Sequence, residues 1–235
     1  MKRFWTEAKA TEDPTGWSVT LDGKPVRVPV GGPLRLPTAA LACAVAAEWQ
    51  EAGKAIGGEM SYADLPLTRL AGTAQERIAA DPGPVILELA RYGETDLLCY
   101  RADRPHSLVQ RQHELWQPWL DWAARDLGAT MVVTTGIAHV AQPEHALASL
   151  TLAVARHDPH RLAALGVLVP SFGSLVLGLA VAHGALAAGE AHEIATLDDR
   201  HQAEAWGWDH EAEARMARIA ADVEAVGRFL DACAA

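Results

Sequence analysis

Residues 17–53 read WSVTLDGKPVRVPVGGPLRLPTAALACAVAAEWQEAG, and a change of periodicity inside this stretch decides the fold. Before Thr38, apolar and polar residues alternate between prolines and glycines, which predicts short strands, with LDGKP as a β-hairpin turn. The prolines of this part favour edge strands. From Thr38 the apolar spacing is helical, with Thr38 as the N-cap and Gly53 as the stop signal.

The rest of the chain is mainly helical in pattern. Helices are predicted roughly at 66–79, 82–92, 105–127, 143–157, 160–168, 171–188 and 190–232. Two β-like runs, DLLCYRA (96–102) and MVVTTG (131–136), are expected to pair with each other or with the first strands. The sequence therefore predicts an α+β fold, with a small β-rich N-terminal domain at 1–58 and a larger, mainly helical C-terminal domain at 59–235.

The longest apolar run, Phe172 to Ala188, predicts a buried core helix and not a membrane span. It is shorter than the roughly 20 residues that a spanning helix needs, and it contains His183. Within it, Ser174 and Gly178 are four residues apart, so a neighbouring helix is expected to pack closely there.

Composition and motifs exclude several classes of protein. The formal net charge is −10 and no run of Lys and Arg occurs, which argues against binding nucleic acid or anionic lipid. No phosphate loop, GxGxxG or other catalytic signature is found, so we expect no nucleotide and no cofactor. Three widely spaced cysteines and an N-terminus without a targeting pattern predict a cytoplasmic protein.

The stretch from Leu197 to Arg215, LDDRHQAEAWGWDHEAEAR, combines acids, histidines and two tryptophans. Between Glu190 and Glu213 there are eight acids and one base, a local charge of −7 (1 minus 8). His192, His201 and His210 are nine residues apart, about 2.5 helical turns, so they cannot share one metal ion.

If 190–232 is one helix, an apolar stripe along it packs on the core. Asp198, Gln202, Trp206 and Asp209 then share a separate face, with spacings of 4, 4 and 3. Such a face is either a plain solvated helix surface or a site for a basic, partly apolar partner.

Two further residues affect that face. Glu204 borders the apolar stripe beside Trp208. Gly207 lies between the two tryptophans and is expected to kink or end the helix, which would turn both rings outward.

Eight motifs in order resemble one family, the chaperones that escort the alpha subunit of F-type ATP synthase during assembly. They are RFW, LDGKPVRVP, AAEW, LPLTRLAGTA, DLLCYRA, LWQPWLDWA, SLVLGLA and LDDRHQAEAWGWDHEAE. The resemblance covers about residues 3–215. It implies a non-enzymatic, ATP-independent chaperone that binds the free alpha subunit and prevents its aggregation, and a bacterial, cytoplasmic member of the family.

The resemblance also implies site residues. The family's acidic motif falls on 197–207, which makes Asp198, Asp199 and Glu204 the strongest partner-binding candidates, joined by Gln202 and Trp206 of the same motif. Asp209 lies beyond the motif and is a candidate because of its helical spacing alone. LWQPWLDW places Trp116, Trp119 and Trp122 at steps of three; this spacing is mostly core, and Trp119 is expected to be the most exposed and to contact the partner. AAEW (46–49) is expected to be structural.

Two other functions stay open on the residues alone. One is an enzyme that uses the carboxylates at 198, 199 and 204, with or without a divalent ion. The other is an adaptor with another client. An enzyme requires those carboxylates to converge in a pocket, whereas a chaperone presents them on an open face beside exposed tryptophan.

Overall fold

The structure is a computed structural model that describes residues 1–207 and 209–235. Its strands are short: β1 Ala8–Asp13, β2 Gly16–Leu21, β3 Lys24–Pro25, β4 Tyr100–Arg101 and β5 Thr134–Thr135. The α-helices are α1 Ala39–Glu51, α2 Pro66–Thr73, α3 Gly83–Ala90, α4 His106–Trp122, α5 Glu144–Ala155, α6 Pro159–Phe172, α7 Leu175–Ala182, α8 Ala188–Ala195, α9 Leu197–Trp206 and α10 His210–Ala234. The predicted α+β class is confirmed, with a small strand region first and mostly helices after it.

The predicted hairpin connects β2 and β3 in the antiparallel sheet β1-β2-β3. Leu21 pairs with Lys24, so the turn consists of Asp22 and Gly23, both with positive φ (46° and 80°). Two successive positive φ angles match the right-handed twist of the flanking strands. The Asp22 carboxylate also accepts hydrogen bonds from the backbone N–H groups of Thr6 and Glu7, which fixes the chain before β1.

Helix α1 begins and ends where the sequence predicts. The Thr38 hydroxyl accepts a hydrogen bond from the Leu41 N–H at 3.0 Å, and Gly53 follows the helix with a φ of 71°. The buried face of α1 packs against β1 and β2. Its last large residue, Trp49, donates its indole N–H to the Thr68 hydroxyl at 2.9 Å, so the structural role expected for AAEW is confirmed.

The chain forms two compact units. The first consists of residues 1–82, 159–164 and 225–235, and the second of residues 83–158 and 165–224. The domain boundary placed at residue 58 stays a prediction.

The core of the second unit contains α7, of which all eight residues are buried. The predicted core helix is confirmed but its bounds were too wide, because Gly173 and Gly184 adopt left-handed conformations (φ 62° and 72°) that interrupt it on both sides. A Cβ on Gly178 would lie 2.6 Å from Val169 Cγ2 on α6. The close helix packing expected at Gly178 is therefore present.

The two β-like runs pair with each other. Tyr100 and Arg101 of β4 lie opposite Thr134 and Thr135 of β5 in a parallel ladder. Just before β4, the buried carboxylate of Asp96 accepts hydrogen bonds from Ser174 and from the backbone N–H of Val176, which ties this segment to the start of α7.

The predicted single helix over 190–232 is wrong, because the chain breaks at Thr196 and again at Gly207 to give α8, α9 and α10. The expected apolar stripe is not buried along its length. Between Leu197 and Val223, no residue that the structure describes is buried. No helix of the described residues is long and apolar enough to cross a membrane.

Candidate partner-binding site

Helix α9 carries most of the predicted partner-binding residues. It is anchored at its start by the buried Leu197, and it ends at Trp206 because Gly207 has a φ of 82° and a ψ of 162°. Asp198 and Asp199 occupy its first turn, where the positive end of the helix dipole favours carboxylates.

Two of the predicted carboxylates are bonded within the chain, to α4. Asp198 accepts a hydrogen bond from the Gln112 side chain at 2.8 Å. Glu204 accepts one from Arg111 at 2.7 Å, and this contact holds the pKa of Glu204 below its ordinary value. His201 lies between these two acids in sequence and is half-buried, and its ring Nδ1 is 3.7 Å from the Glu204 carboxylate.

Gln112 is the centre of the support beneath α9. It is only 1% exposed, and its side-chain oxygen accepts a hydrogen bond from the backbone N–H of Ala102 at 2.8 Å. Its amide therefore connects the segment after β4 to Asp198 on α9. Since both polar atoms of this buried amide are satisfied, Gln112 fixes the position of the first turn of α9.

A second set of contacts supports the same region. The Arg101 guanidinium lies 5.4 Å from the Trp116 ring centre and donates to the backbone carbonyls of Leu98 and Gln112. Trp116 donates its indole N–H to the Ile194 carbonyl near the end of α8 at 2.9 Å. These bonds hold α4 against α8 just before α9 begins.

The other three predicted residues on α9 form an outward face, which we define as Asp199, Gln202 and Trp206. At about 100° per residue, the three lie within an arc of roughly 60°, and Trp206 points about 180° away from Leu197. All three are exposed, and Trp206 is 88% exposed. The predicted residues on α9 therefore form two groups. Asp198 and Glu204 are bonded to α4, and the other three form the outward face.

Two predicted placements fall outside this face. Asp209 follows Gly207 and is exposed, but it does not continue the face of α9, because the helix has already ended. Trp208, which the sequence placed beside Glu204 and expected to point outward, lies outside the described residues.

Trp119 on α4 is half-buried, whereas Trp116 and Trp122 are buried. The expected order of exposure among these three tryptophans is confirmed. The Trp119 ring meets Trp122 edge to face with centres 6.4 Å apart. Its contact with a partner stays a prediction.

The carboxylates of Asp198, Asp199 and Glu204 do not converge. Around the axis of α9, the directions of any two of these three side chains differ by about 100° or more. Within residues 1–207 and 209–235, no group of three or more His, Cys, Asp and Glu side chains is placed to hold a metal ion.

Comparison with known proteins identifies the family. Residues 2–124 match the model of the ATP12 chaperone protein family. A crystal structure of Atp12 from Paracoccus denitrificans is 44% identical with a TM-score of 0.90, covering 99% of this chain and 98% of that chain. This chain belongs to the ATP12 chaperone family.

Other solved structures agree with this membership. An aspartate-to-lysine mutant of the Paracoccus Atp12 is 43% identical with a TM-score of 0.90, covering 99% of this chain and 97% of that chain. A protein from Agrobacterium tumefaciens is 37% identical with a TM-score of 0.90, and the match covers 98% of this chain and 85% of that chain. The ATP12 family model ends before α9, but the match to these structures extends over it.

Sequence reasoning missed the support that the ATP12-family fold gives to α9, namely Gln112, Arg111 and Arg101. A signal for Gln112 was present. It occupies one position of a stripe along α4 at spacings of four whose other members are apolar, Leu108, Trp116 and Leu120. A polar residue inside such a stripe is either buried with its hydrogen bonds satisfied or in contact with another protein, so the stripe itself indicates a special role for Gln112.

Proposed function

We propose that the chain is an ATP-independent chaperone that binds the free alpha subunit of F-type ATP synthase and prevents its aggregation while the catalytic head assembles. Membership of the ATP12 chaperone family supports a role as an assembly chaperone. We also propose a cytoplasmic location, because three widely spaced cysteines without a CxxC pair fit a reducing compartment.

The exposure of Trp206 beside Asp199 and Gln202 is the observation that carries the proposal. A large aromatic side chain at 88% exposure leaves much apolar surface in water, and burying that surface against a partner is favourable. The carboxylate and amide beside it offer acceptors to lysine and arginine side chains. An unassembled subunit with a basic, partly apolar interface matches this combination.

Release of the client requires no nucleotide in this mechanism. The chaperone and the beta subunit compete for one surface of the alpha subunit, and the beta subunit binds that surface more favourably. Assembly itself then displaces the chaperone. While the client waits, its apolar interface is covered, which suppresses aggregation.

The enzyme hypothesis has less support. A carboxylate-based site requires two or more carboxyl groups directed at one reacting atom, with at least one pKa shifted for proton transfer. Asp198 and Glu204 are instead bonded to different residues of α4, and Asp199 points to solvent.

Co-expression of the chain with the alpha subunit tests the proposal. The soluble fraction of the alpha subunit should rise with the wild-type chain, and the two proteins should purify together. Trp206→Ala should weaken the purified complex by about tenfold or more, since exposed tryptophans that become buried dominate interfaces. An alpha subunit that stays insoluble and fails to copurify would reject this client.

Asp199→Lys and Glu12→Lys form a matched pair for the charge of the site. Both residues are exposed and both substitutions change the net charge equally, but Glu12 lies on β1. We expect Asp199→Lys to weaken capture while Glu12→Lys leaves it unchanged. Equal weakening by both variants would mean that only the overall charge matters.

A further inference from the structure

The first compact unit contains a groove between α1, the chain that follows α1, and the start of α2, which we call the α1–α2 groove. On α1 its wall is formed by Ala44, Ala47, Glu48 and Glu51, whose spacings of 3, 1 and 3 place them on one face of the helix. The two alanines are small, which leaves room beside this face. The groove has a volume of about 990 Å³, at the upper end of the roughly 300–1,000 Å³ of ligand pockets, so it can hold more than one side chain.

Most of the surface inside the α1–α2 groove is apolar. Ala44, Ala47 and Ala52 line one side, and Pro66 and Leu67, at the start of α2, line the other. Ala47 is exposed, and Ala44 and Pro66 are half-buried. This apolar surface is therefore accessible to another molecule, and burying it against a partner is favourable.

Large side chains are exposed in the two segments that continue from the groove. Ile56 lies between the lining residues Lys54 and Gly58 and is 65% exposed. Tyr62, two residues before the lining Asp64, is 51% exposed. Tyrosine is enriched among the residues that dominate protein–protein interfaces, so these side chains extend the apolar surface that a partner can bury.

Carboxylates are in excess in the α1–α2 groove. Four acids and two bases line it, namely Glu48, Glu51, Glu59 and Asp64 against Lys54 and Arg228. Glu51 and Glu59 are exposed, and within the described residues neither side chain forms a hydrogen bond or an ion pair. These two carboxylates are available to a cationic partner, and the surplus of negative charge in the groove favours one.

Glu48 is the least exposed of these four acids. Its carboxylate accepts hydrogen bonds from the backbone N–H groups of Leu67 at 2.6 Å and Thr68 at 3.0 Å, which fixes it at the start of α2. Burial raises the pKa of Glu48, because little water surrounds the carboxylate. A cation that enters the groove is attracted to such a carboxylate more strongly than to one in full solvent.

A lysine or arginine side chain fits both properties of the groove, because its methylene groups pack on apolar surface while its charged end reaches carboxylates. The outward face of α9 offers a similar combination, an exposed aromatic ring beside a carboxylate. One basic, partly apolar client therefore suits both surfaces.

We propose that the α1–α2 groove binds a segment of the alpha subunit, which places a lysine or arginine side chain over Ala47 between Glu48 and Glu51 and apolar side chains against Ile56 and Tyr62. This inference rests on the proposed function, because it names the same client. It adds a contact on the first compact unit to the contact of α9 on the second. Two contacts hold one client more tightly than either alone, since the second forms within the complex.

Substitutions at Glu51 test the charge of the groove. Glu51→Lys should raise the Kd for the alpha subunit about tenfold, because it repels the basic side chain, and Glu51→Gln about threefold, because it only removes an attraction. A lysine at the last residue of α1 suits the helix dipole, so the melting temperature should not fall. Glu12→Lys is the control, since Glu12 is an exposed acid of the same unit outside the groove, and its Kd should stay that of the wild type.

Ala47→Met fills the groove without changing its charge. Ala47 is exposed, so the longer side chain has space in the unbound chain. It then occupies the place of the client's basic side chain, and we expect the Kd for the alpha subunit to rise about tenfold. Ala39→Met is the matched control, because Ala39 is an exposed alanine of the same helix that does not line the groove. The melting temperatures of both variants should match that of the wild type.

The outcomes separate the two proposals. The groove requires a raised Kd for both Glu51→Lys and Ala47→Met, and a wild-type Kd for either variant would overturn it while leaving the proposed function standing. Equal weakening by Glu51→Lys and Glu12→Lys would overturn it as well, because only the overall charge would then matter. Equal Kd values for Glu51→Lys and Glu51→Gln would overturn the basic side chain as the occupant. A wild-type chain that does not bind the alpha subunit would overturn both proposals.

Discussion

The buried side-chain amide of Gln112 donates to the Asp198 carboxylate at 2.8 Å, across 86 residues of sequence. This bond and the Arg111–Glu204 pair fix α9, a helix with few buried side chains, to α4. The outward face of α9 thus owes its orientation to polar contacts more than to apolar packing. Local stability in such a segment is expected to be low, because few apolar contacts oppose its opening.

Replacing Gln112 with leucine should loosen α9. The variant leaves the Ala102 N–H and Asp198 without their partner, and we expect a loss of about 1–3 kcal/mol in the free energy of unfolding. Urea unfolding measures this loss, and hydrogen exchange should become faster over residues 197–206 but not over α1. Gln110→Leu is the control, since Gln110 is exposed on the same helix. Unchanged exchange in α9 would show that the bond does not hold the helix.

Exchanging the charges of Arg111 and Glu204 tests the second contact. Glu204→Lys places two cations together, so it should lower both the melting temperature and the capture of the alpha subunit. The double variant Arg111→Glu with Glu204→Lys restores an attractive pair and should recover both properties. If capture stays low although the melting temperature recovers, the Glu204 carboxylate itself contacts the client, and its role is not only to position α9.

Short sequence patterns, formed by residues close together in the chain, predicted much of the fold. The positive φ angles of Asp22 and Gly23, the Thr38 cap and the close packing at Gly178 all follow from short patterns in which one residue type fits one local geometry. The exposure of Trp206 also followed from its position before Gly207. These features depend on residues near one another in sequence, which is why a single sequence contains them.

The parts of the site that were missed depend on distant residues. No local pattern links Gln112 to Asp198 or Arg111 to Glu204, because the partners are separated by 86 and 93 residues. The break at Thr196 had a local signal, a threonine three residues before Asp199, but helical periodicity on both sides concealed it. In the structure the Thr196 hydroxyl donates to the His192 carbonyl and does not cap α9.

Replacing Ser174 with alanine should destabilise the core of the second unit in a pH-dependent way. The Ser174 hydroxyl caps α7 at the Leu177 N–H and donates to Asp96, whose pKa is raised to about 6 by burial. We expect a loss of about 1–3 kcal/mol. The donated bond favours the ionised carboxylate, so the loss should be larger above pH 6, where Asp96 is charged, than at pH 4.5, where it is protonated.

Urea unfolding of the wild type and of Ser174→Ala at pH 4.5 and pH 7.5 measures the effect. In the wild type, the raised pKa of Asp96 contributes stability that is present below the unfolded pKa of about 3.9 and is lost as the pH rises through about 6. Ser171→Ala is the control, because the Ser171 hydroxyl donates to the Val167 carbonyl of its own helix. A loss for Ser174→Ala that is equal at both pH values would show that the hydroxyl acts as a helix cap alone.

Capture of the alpha subunit should weaken as salt concentration rises. The segment from Glu190 to Glu213 has a local charge of −7 (1 base minus 8 acids), and salt screens exposed charges over a Debye length of about 10 Å at 0.1 M. We expect the Kd to rise about tenfold between 50 and 500 mM NaCl, mostly through slower association. Stopped-flow or biolayer measurements separate the association and dissociation rates. Asp199→Lys should reduce the salt dependence, whereas Trp206→Ala should weaken binding equally at both salt concentrations, because an apolar contact is not screened. A Trp206→Ala variant with a changed salt slope would mean that the ring acts by placing the neighbouring charges and not by its own burial.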